Sequence, residues 1–313
     1  MKITAVRSTT LTAVVMTSAI ALTGCTGEPD RDDESVISIA TQRQPHLYAP
    51  YAYEDFAPEG TTIEVVPMDT STDQMTALFS GDVDFALMGV PTVITGVSEG
   101  SDITLIASGA DGGSGLIGDS EIEGAADLEG RTVGYVPGSS QEMAFRLLAE
   151  EAGLDPDTDI DMVNLGYADM HEALSSGDID AFAGAEVGVS LSLLDGAEPV
   201  EDIYDTPLGP VNIGLATTGT LAEENPEMVN ELLGIHEEAT AHLAENPSEW
   251  IEAVQGQFSF EGEVLEQAVE NIWLRSDIDE AYRGNIDELA QQMQELEIIS
   301  EAPAADDVVT EME

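Results

Sequence analysis

One eight-residue phrase occurs twice in the chain. Ala77-Leu-Phe-Ser-Gly81-Asp82-Val-Asp84 returns as Ala173-Leu-Ser-Ser-Gly177-Asp178-Ile-Asp180. In each copy the spacing predicts a helix ending on a left-handed glycine, then an acidic turn, then a buried strand. The context repeats as well. The first half reads as strands over 36–41, 62–67 and 83–88, with helices over 45–56 and 71–80. The second half reads as strands over 131–136, 160–165 and 179–183, with helices over 139–152 and 168–176. Largely apolar runs such as 83–88 mark buried parallel strands. Two such βαβαβ units predict two parallel-sheet lobes.

The joins between the units predict how the lobes connect. The glycine-rich stretch 108–115 and the return 206–210 are segments able to absorb a hinge rotation. A strand over 211–217 rejoins the first lobe, and helices follow from Pro226 to about 245, from Pro247, over 261–273 and over 279–297. Both Asn225-Pro226 and Asn246-Pro247 place proline where a first helical turn tolerates it. The expected organisation is therefore α/β, each lobe a mostly parallel sheet flanked by helices. The first lobe takes 36–110 with 211–300, its helical C-terminal region packed on it, and the second takes 111–210; residues 301–313 are polar and expected to fray.

Charge limits the partners. The 313 residues hold 63 Asp and Glu against 8 Lys and Arg, a formal net charge of −55. Such a surface repels phosphate backbones, which argues against nucleic-acid binding. It is not the composition of a disordered chain, because 42% of residues are apolar and the acids are spread through periodic segments. A field of this size is screened in molar salt, so a halophilic or haloalkaliphilic source is expected.

The first residues read as a targeting segment. Lys2 and Arg7 precede an apolar run over 11–22 that is too short to span a bilayer, and Leu22-Thr23-Gly24-Cys25 resembles a lipobox. Residues 1–24 are then a lipoprotein signal, Cys25 the lipidated first residue, and 25–35 a polar tether. Cys25 is the only cysteine, so neither an internal disulfide nor a cysteine metal cluster can form.

Several chemistries fail on inspection. His-Glu-x-x-His, Cys-x-x-Cys, Gly-x-Ser-x-Gly and a phosphate-loop Gly-Lys pair are all missing. Gly113-Ser-Gly115-Leu-Ile-Gly118 fits the dinucleotide fingerprint but opens no apolar helix, so it reads as part of the hinge. The alternating acids of 155–161 lack the glycine and glutamate of a calcium loop and read as a solvated turn. The four histidines are scattered. No metal and no cofactor is expected.

A family resemblance now follows from particular residues. Its marks are the phrase 77–84 running into Phe85-Ala-Leu-Met-Gly89, then Asp127-Leu-Glu-Gly130-Arg-Thr-Val-Gly134 leading to Gly138-Ser139-Ser140, then 173–180. Over nearly all of 36–300 the chain resembles extracytoplasmic solute-binding proteins of ABC importers, in the branch with nitrate, alkanesulfonate, taurine and thiamine-precursor binders. The resemblance implies a type II periplasmic-binding-protein-like fold. It implies a monomer that is lipid-anchored outside the cell membrane. Such a monomer closes on a small polar solute, either a sulfonate-, taurine- or nitrate-like anion or zwitterion or an aminopyrimidine, and delivers it to permease and ATPase subunits. One departure is that Glu186 is kept in 183–188 without the aromatic and proline that often accompany it in the family. Two other readings stand beside this one: a ligand-sensing partner of a membrane receptor, and a pyrimidine-synthesising enzyme of the same fold. The dispersed histidines argue against the enzyme.

Ligands in open parallel sheets bind beyond the carboxyl ends of strands, which selects five turns. After the first strand come Gln42, Arg43, His46 and Tyr48. Arg43 would clamp a sulfonate or carboxylate, or else balance nearby surface acids. His46 is a helix-start residue or a contact, and Tyr48 a stacking platform or core. The second turn offers Ser71 and Thr72, as caps or as donors. The third offers Gly89 for close backbone approach and the Thr92 hydroxyl. The fourth, Ser139, Ser140 and Gln141, opens a helix whose free amides favour an anion or carbonyl. The fifth is Glu186, whose carboxylate suits an amine or aminopyrimidine edge.

Overall fold

A computed structural model describes residues 35–312. The signal segment, Cys25 and the tether up to residue 34 lie outside the described residues. In chain order the first part contains β1 (Val36–Thr41), β2 (Thr62–Pro67), α1 (Ser71–Ser80), β3 (Phe85–Gly89), α2 (Val90–Ser98) and β4 (Thr104–Gly112). The second part contains β5 (Ser114–Gly118), β6 (Thr132–Tyr135), α3 (Ser140–Glu151), β7 (Asp161–Asn164), α4 (Tyr167–Ser176), β8 (Ala181–Ala185), α5 (Gly188–Leu194) and β9 (Glu198–Glu201). The rest comprises β10 (Val211–Thr217), α6 (Gly219–Glu224), α7 (Pro226–Glu245), α8 (Pro247–Phe258), α9 (Gly262–Glu270), β11 (Ile272–Leu274), α10 (Glu280–Glu295) and α11 (Ala305–Val308).

These strands make two mixed sheets, ordered β11-β4-β10-β3-β1-β2 and β7-β6-β8-β5-β9. In each, three parallel strands form one side, β2-β1-β3 and β7-β6-β8, and an antiparallel strand docks beside the third. The result is an α/β fold of two lobes flanked by helices. The strands β3 and β8 carry unbroken apolar or small residues because both faces are covered.

The repeated phrase performs the same task twice. Gly81 and Gly177 take φ of 72° and 76°, and the next amides, Asp82 and Asp178, reach back to the carbonyls of Ala77 and Ala173 at 2.8 and 2.9 Å. This closes both helices with a left-handed cap. The phrase's last acid then fastens the neighbouring strand. Asp84 accepts from the Ser38 amide and hydroxyl at 2.9 and 2.6 Å, and Asp180 accepts from the Thr132 amide at 2.8 Å.

The chain crosses between the lobes at Gly112-Gly113. The glycine-rich stretch read as a hinge is strand on either side, and the turn is confined to these two residues, both with φ above 70°. A side chain on Gly112 would collide with the Asn271 carbonyl. Of the fingerprint-like 113–118, Gly113 is the turn and Ser114–Gly118 is β5, which pairs antiparallel with β8 and opens no helix. The acidic turn 155–161 closes on itself, with the Asp155 amide donating to Asp159 and Arg146 pairing with Asp157.

Three expectations are corrected. The helix expected over 45–56 is two short 3-10 helices, Pro45–Leu47 and Ala49–Asp55, because Pro45 and Pro50 remove amide donors and restart the turn. The helix expected over 261–273 stops at Glu270, and Ile272–Leu274 joins β4 as an antiparallel edge strand. The tail expected to fray is docked. Val308 is fully buried, the Thr310 amide donates to the Leu105 carbonyl at 2.9 Å, and Arg283 on α10 holds Asp306 and Glu311. Its anchor is two apolar residues that a polar average conceals.

Candidate functional site

A pocket of about 350 Å3 lies between the lobes at the carboxyl ends of the parallel strands. The first lobe contributes the turns after β1, β2 and β3, and Asn212 of β10. The second lobe contributes the turns after β6 and β7, and Ala185 at the end of β8. Four helices, α1, α2, α3 and α4, begin at its wall. A first-turn amide has no intrahelical acceptor, so each start offers N–H donors and the positive end of a helix dipole.

Local chemistry decides which donors remain free. In α1 the Thr70 hydroxyl caps the Asp73 amide at 3.1 Å, leaving the amides of Ser71 and Thr72. The Ser71 hydroxyl accepts from Gln42 Nε2 and from the Gly89 amide, both at 3.1 Å. Both its lone pairs are used, so its proton is left to donate. In α3 the Ser139 hydroxyl is committed, accepting from the Glu142 amide at 3.1 Å and donating to the Val136 carbonyl at 2.7 Å. The Ser140 and Gln141 amides are left. Neither α2 nor α4 has a side-chain cap, and Gly89 and Gly166 stand at their starts.

Hydrogen bonds behind these donors brace the second lobe and tie it to the first. Gln141 Nε2 donates to Ser114 Oγ at 2.7 Å while its Oε1 accepts from the Tyr167 hydroxyl at 2.9 Å. The Ser140 hydroxyl contacts Asn212 Oδ1 at 3.4 Å, and Asn212 Nδ2 donates to the Gly112 carbonyl at 2.7 Å. Asn212 therefore links the second lobe's helix start to the crossing point.

Among the described residues that line the pocket there is no lysine or arginine. Burial pulls the His46 pKa down to about 4, so its ring is neutral at pH 7, and burial pushes the Tyr167 phenol up to about 12. The formal charge at the wall is the exposed Asp69 alone. What the wall offers a ligand is oriented neutral donors and helix ends.

Of the expected residues, Gln42, His46, Ser71, Thr72, Gly89, Thr92, Ser139, Ser140 and Gln141 line the pocket. Three lie elsewhere. Arg43 is exposed and its charge acts on Tyr51. Tyr48 packs against Tyr51 and Phe258, with ring centroids 5.7 and 6.0 Å away. Glu186 is buried in a second cavity, accepting from Asn271 Nδ2 at 3.0 Å and from the Ser190 amide at 3.1 Å. Sequence reading missed Asn212, Tyr167 and Gly166. The repeat held the signal for two of them, since Gly166-Tyr167 occupies after β7 the place that Ser71 occupies after β2. Asn212 is a lone amide in an apolar strand.

Residues 52–250 match the family described as NMT1/THI5 like. The chain belongs to the NMT1/THI5-like family. Solved structures show how widely this fold is used. This NMT1/THI5-like chain is similar to the alkanesulfonate-binding protein SsuA of Xanthomonas axonopodis pv. citri bound to MOPS. The TM-score is 0.76 at 18% identity, over 88% of this chain and 98% of that one. It is also similar to a cysteine-to-serine mutant of the desulfurization enzyme DSZB in complex with biphenyl-2-sulfinic acid. There the TM-score is 0.67 at 16% identity, over 88% and 97% of the two chains. A 55-residue stretch is 38% identical to the nitrate import ATP-binding protein NrtC of Synechococcus elongatus, covering 18% of this chain and only 8% of that relative's length.

Proposed function

We propose that the chain is the substrate-binding component of an ABC importer. It captures a small oxyanion or zwitterion between its lobes and delivers it to a membrane permease. The observation that carries this reading is the convergence of four helix starts on one pocket of about 350 Å3. Such amides favour negative charge without needing a cation. Asp69 at the rim is placed to meet an amino group on the same ligand, which favours an aminosulfonate or a similar zwitterion over a bare anion. The fold shared with an alkanesulfonate-binding protein supports this ligand class. Cys25, with its lipobox-like context, supports an extracytoplasmic protein held by a lipid, and the acidity supports a saline habitat. Among the described residues no helix is long and apolar enough to cross a membrane.

Titration calorimetry in molar NaCl against taurine, alkanesulfonates, nitrate and an aminopyrimidine tests the reading. Saturable, stoichiometric binding of a sulfonate or aminosulfonate without turnover is the expected result. Binding of the aminopyrimidine alone would move the ligand to that class, and silence across the panel would sink the ligand assignment. Product formation from any compound would replace the binder by an enzyme, the other use of this fold.

A further inference from the structure

A second cavity, of about 390 Å3, shares no lining residue with the solute pocket. It lies where β5, α5 and β9 of the second lobe meet the end of α9. Four carboxylates line it, from Glu186, Glu201, Asp202 and Glu270, and no lysine, arginine or histidine does. Three of these acids are exposed. The fourth, Glu186, is only 2% exposed, and both of its partners, the Asn271 amide and the Ser190 N–H, are neutral. Burial raises its pKa, opposed by those hydrogen bonds. An ionised carboxylate buried without a counter-charge is costly.

Two further observations point to an occupant. The wholly buried Ser190 hydroxyl belongs to a cavity-lining residue, meets regular hydrogen-bond geometry with no group, and acts only on the Glu186 carboxylate, whose charged form it favours. Beside the polar Ser114, Gln267 and Asn271, the rest of the wall is mainly apolar and aromatic, with Leu116, Val189, Leu193 and the Tyr204 ring. The volume is about ten times the ~30 Å3 share of one water, far more than a bare ion fills. A carboxylate within apolar and aromatic walls matches a cation with a small apolar body.

We propose that this cavity is a second ligand site, for a small organic cation of the alkylammonium class, with Glu186 as its counter-charge. The site touches both lobes. Asn271 comes from the segment joining α9 to β11 of the first sheet, and it binds Glu186, the Ser114 carbonyl and the Tyr204 hydroxyl at 2.8–3.0 Å. Ser114 in turn holds Gln141 of the solute pocket.

The test uses the full-length protein, without any solute, so that its outcome does not depend on the importer reading. Tetramethylammonium chloride is titrated at constant molar NaCl and followed by saturation-transfer NMR on its methyl signal. The expected result is saturable binding that weakens by at least about tenfold in Glu186→Gln. It should stay unchanged in Glu238→Gln, an exposed α7 acid that controls for the same loss of charge. Leu193→Trp, which fills the cavity from its half-buried wall, should abolish binding whether or not Glu186→Gln folds. No saturation up to about 50 mM, equal loss in the Glu238→Gln control, or unchanged affinity in Leu193→Trp would each overturn the proposal.

Discussion

At the scale of single residues, Ser71 concentrates several duties in one hydroxyl. It satisfies the Gly89 amide, orients Gln42 and keeps a proton for the pocket. Ser71→Ala should weaken solute binding by about 5–30-fold, equivalent to roughly 1–2 kcal/mol for a lost donor and an orphaned amide. Calorimetry on wild type and variant checks this, and an unchanged affinity would remove Ser71 from the site. Hydroxyls like this one were legible because they follow strand ends and precede helices. Arg43 misled for a local reason. The chain bends after β1, and in that bend Gln42 and Gln44 line the pocket while Arg43 faces solvent. Glu186 misled similarly: Ala185 reaches the solute pocket, and the next residue serves the second cavity.

At the scale of elements, the two repeated βαβαβ units were readable because caps and apolar runs are local signals. Long-range contacts left weaker marks. Strand β11 is three residues long and owes its existence to pairing with β4, which no local pattern encodes. The C-terminal segment owes its order to Val308 and Val309 packed on the first lobe and to the ion pairs of Arg283. Val308→Asp should therefore lower stability by at least about 1.5–3 kcal/mol, the worth of burying such a side chain. The urea midpoint reports it. A midpoint equal to wild type would mean that the tail contributes nothing to the fold.

At the scale of the whole molecule, cations are so scarce that four of the arginines are each shared. Arg131, Arg146, Arg275 and Arg283 each pair with at least two carboxylates, and Arg275 also lies 5.0 Å from the centre of the Tyr282 ring. Most of the 63 acids have no cation to neutralise them. At about 1 M salt the screening length shrinks to roughly 3 Å and their mutual repulsion largely disappears. The melting temperature should rise by more than about 5 °C between low and molar NaCl; a flat response would contradict the reading of this surface as an adaptation to salt. The convergence of four helix starts takes on a further meaning in brine. A guanidinium there would spend its time on chloride, the commonest anion around it. Amides and hydroxyls fixed at set angles reward a ligand whose oxygens diverge in matching directions, which a sphere cannot offer. On the proposed reading, selectivity becomes a matter of direction, and a pocket built this way could ignore a sea of halide.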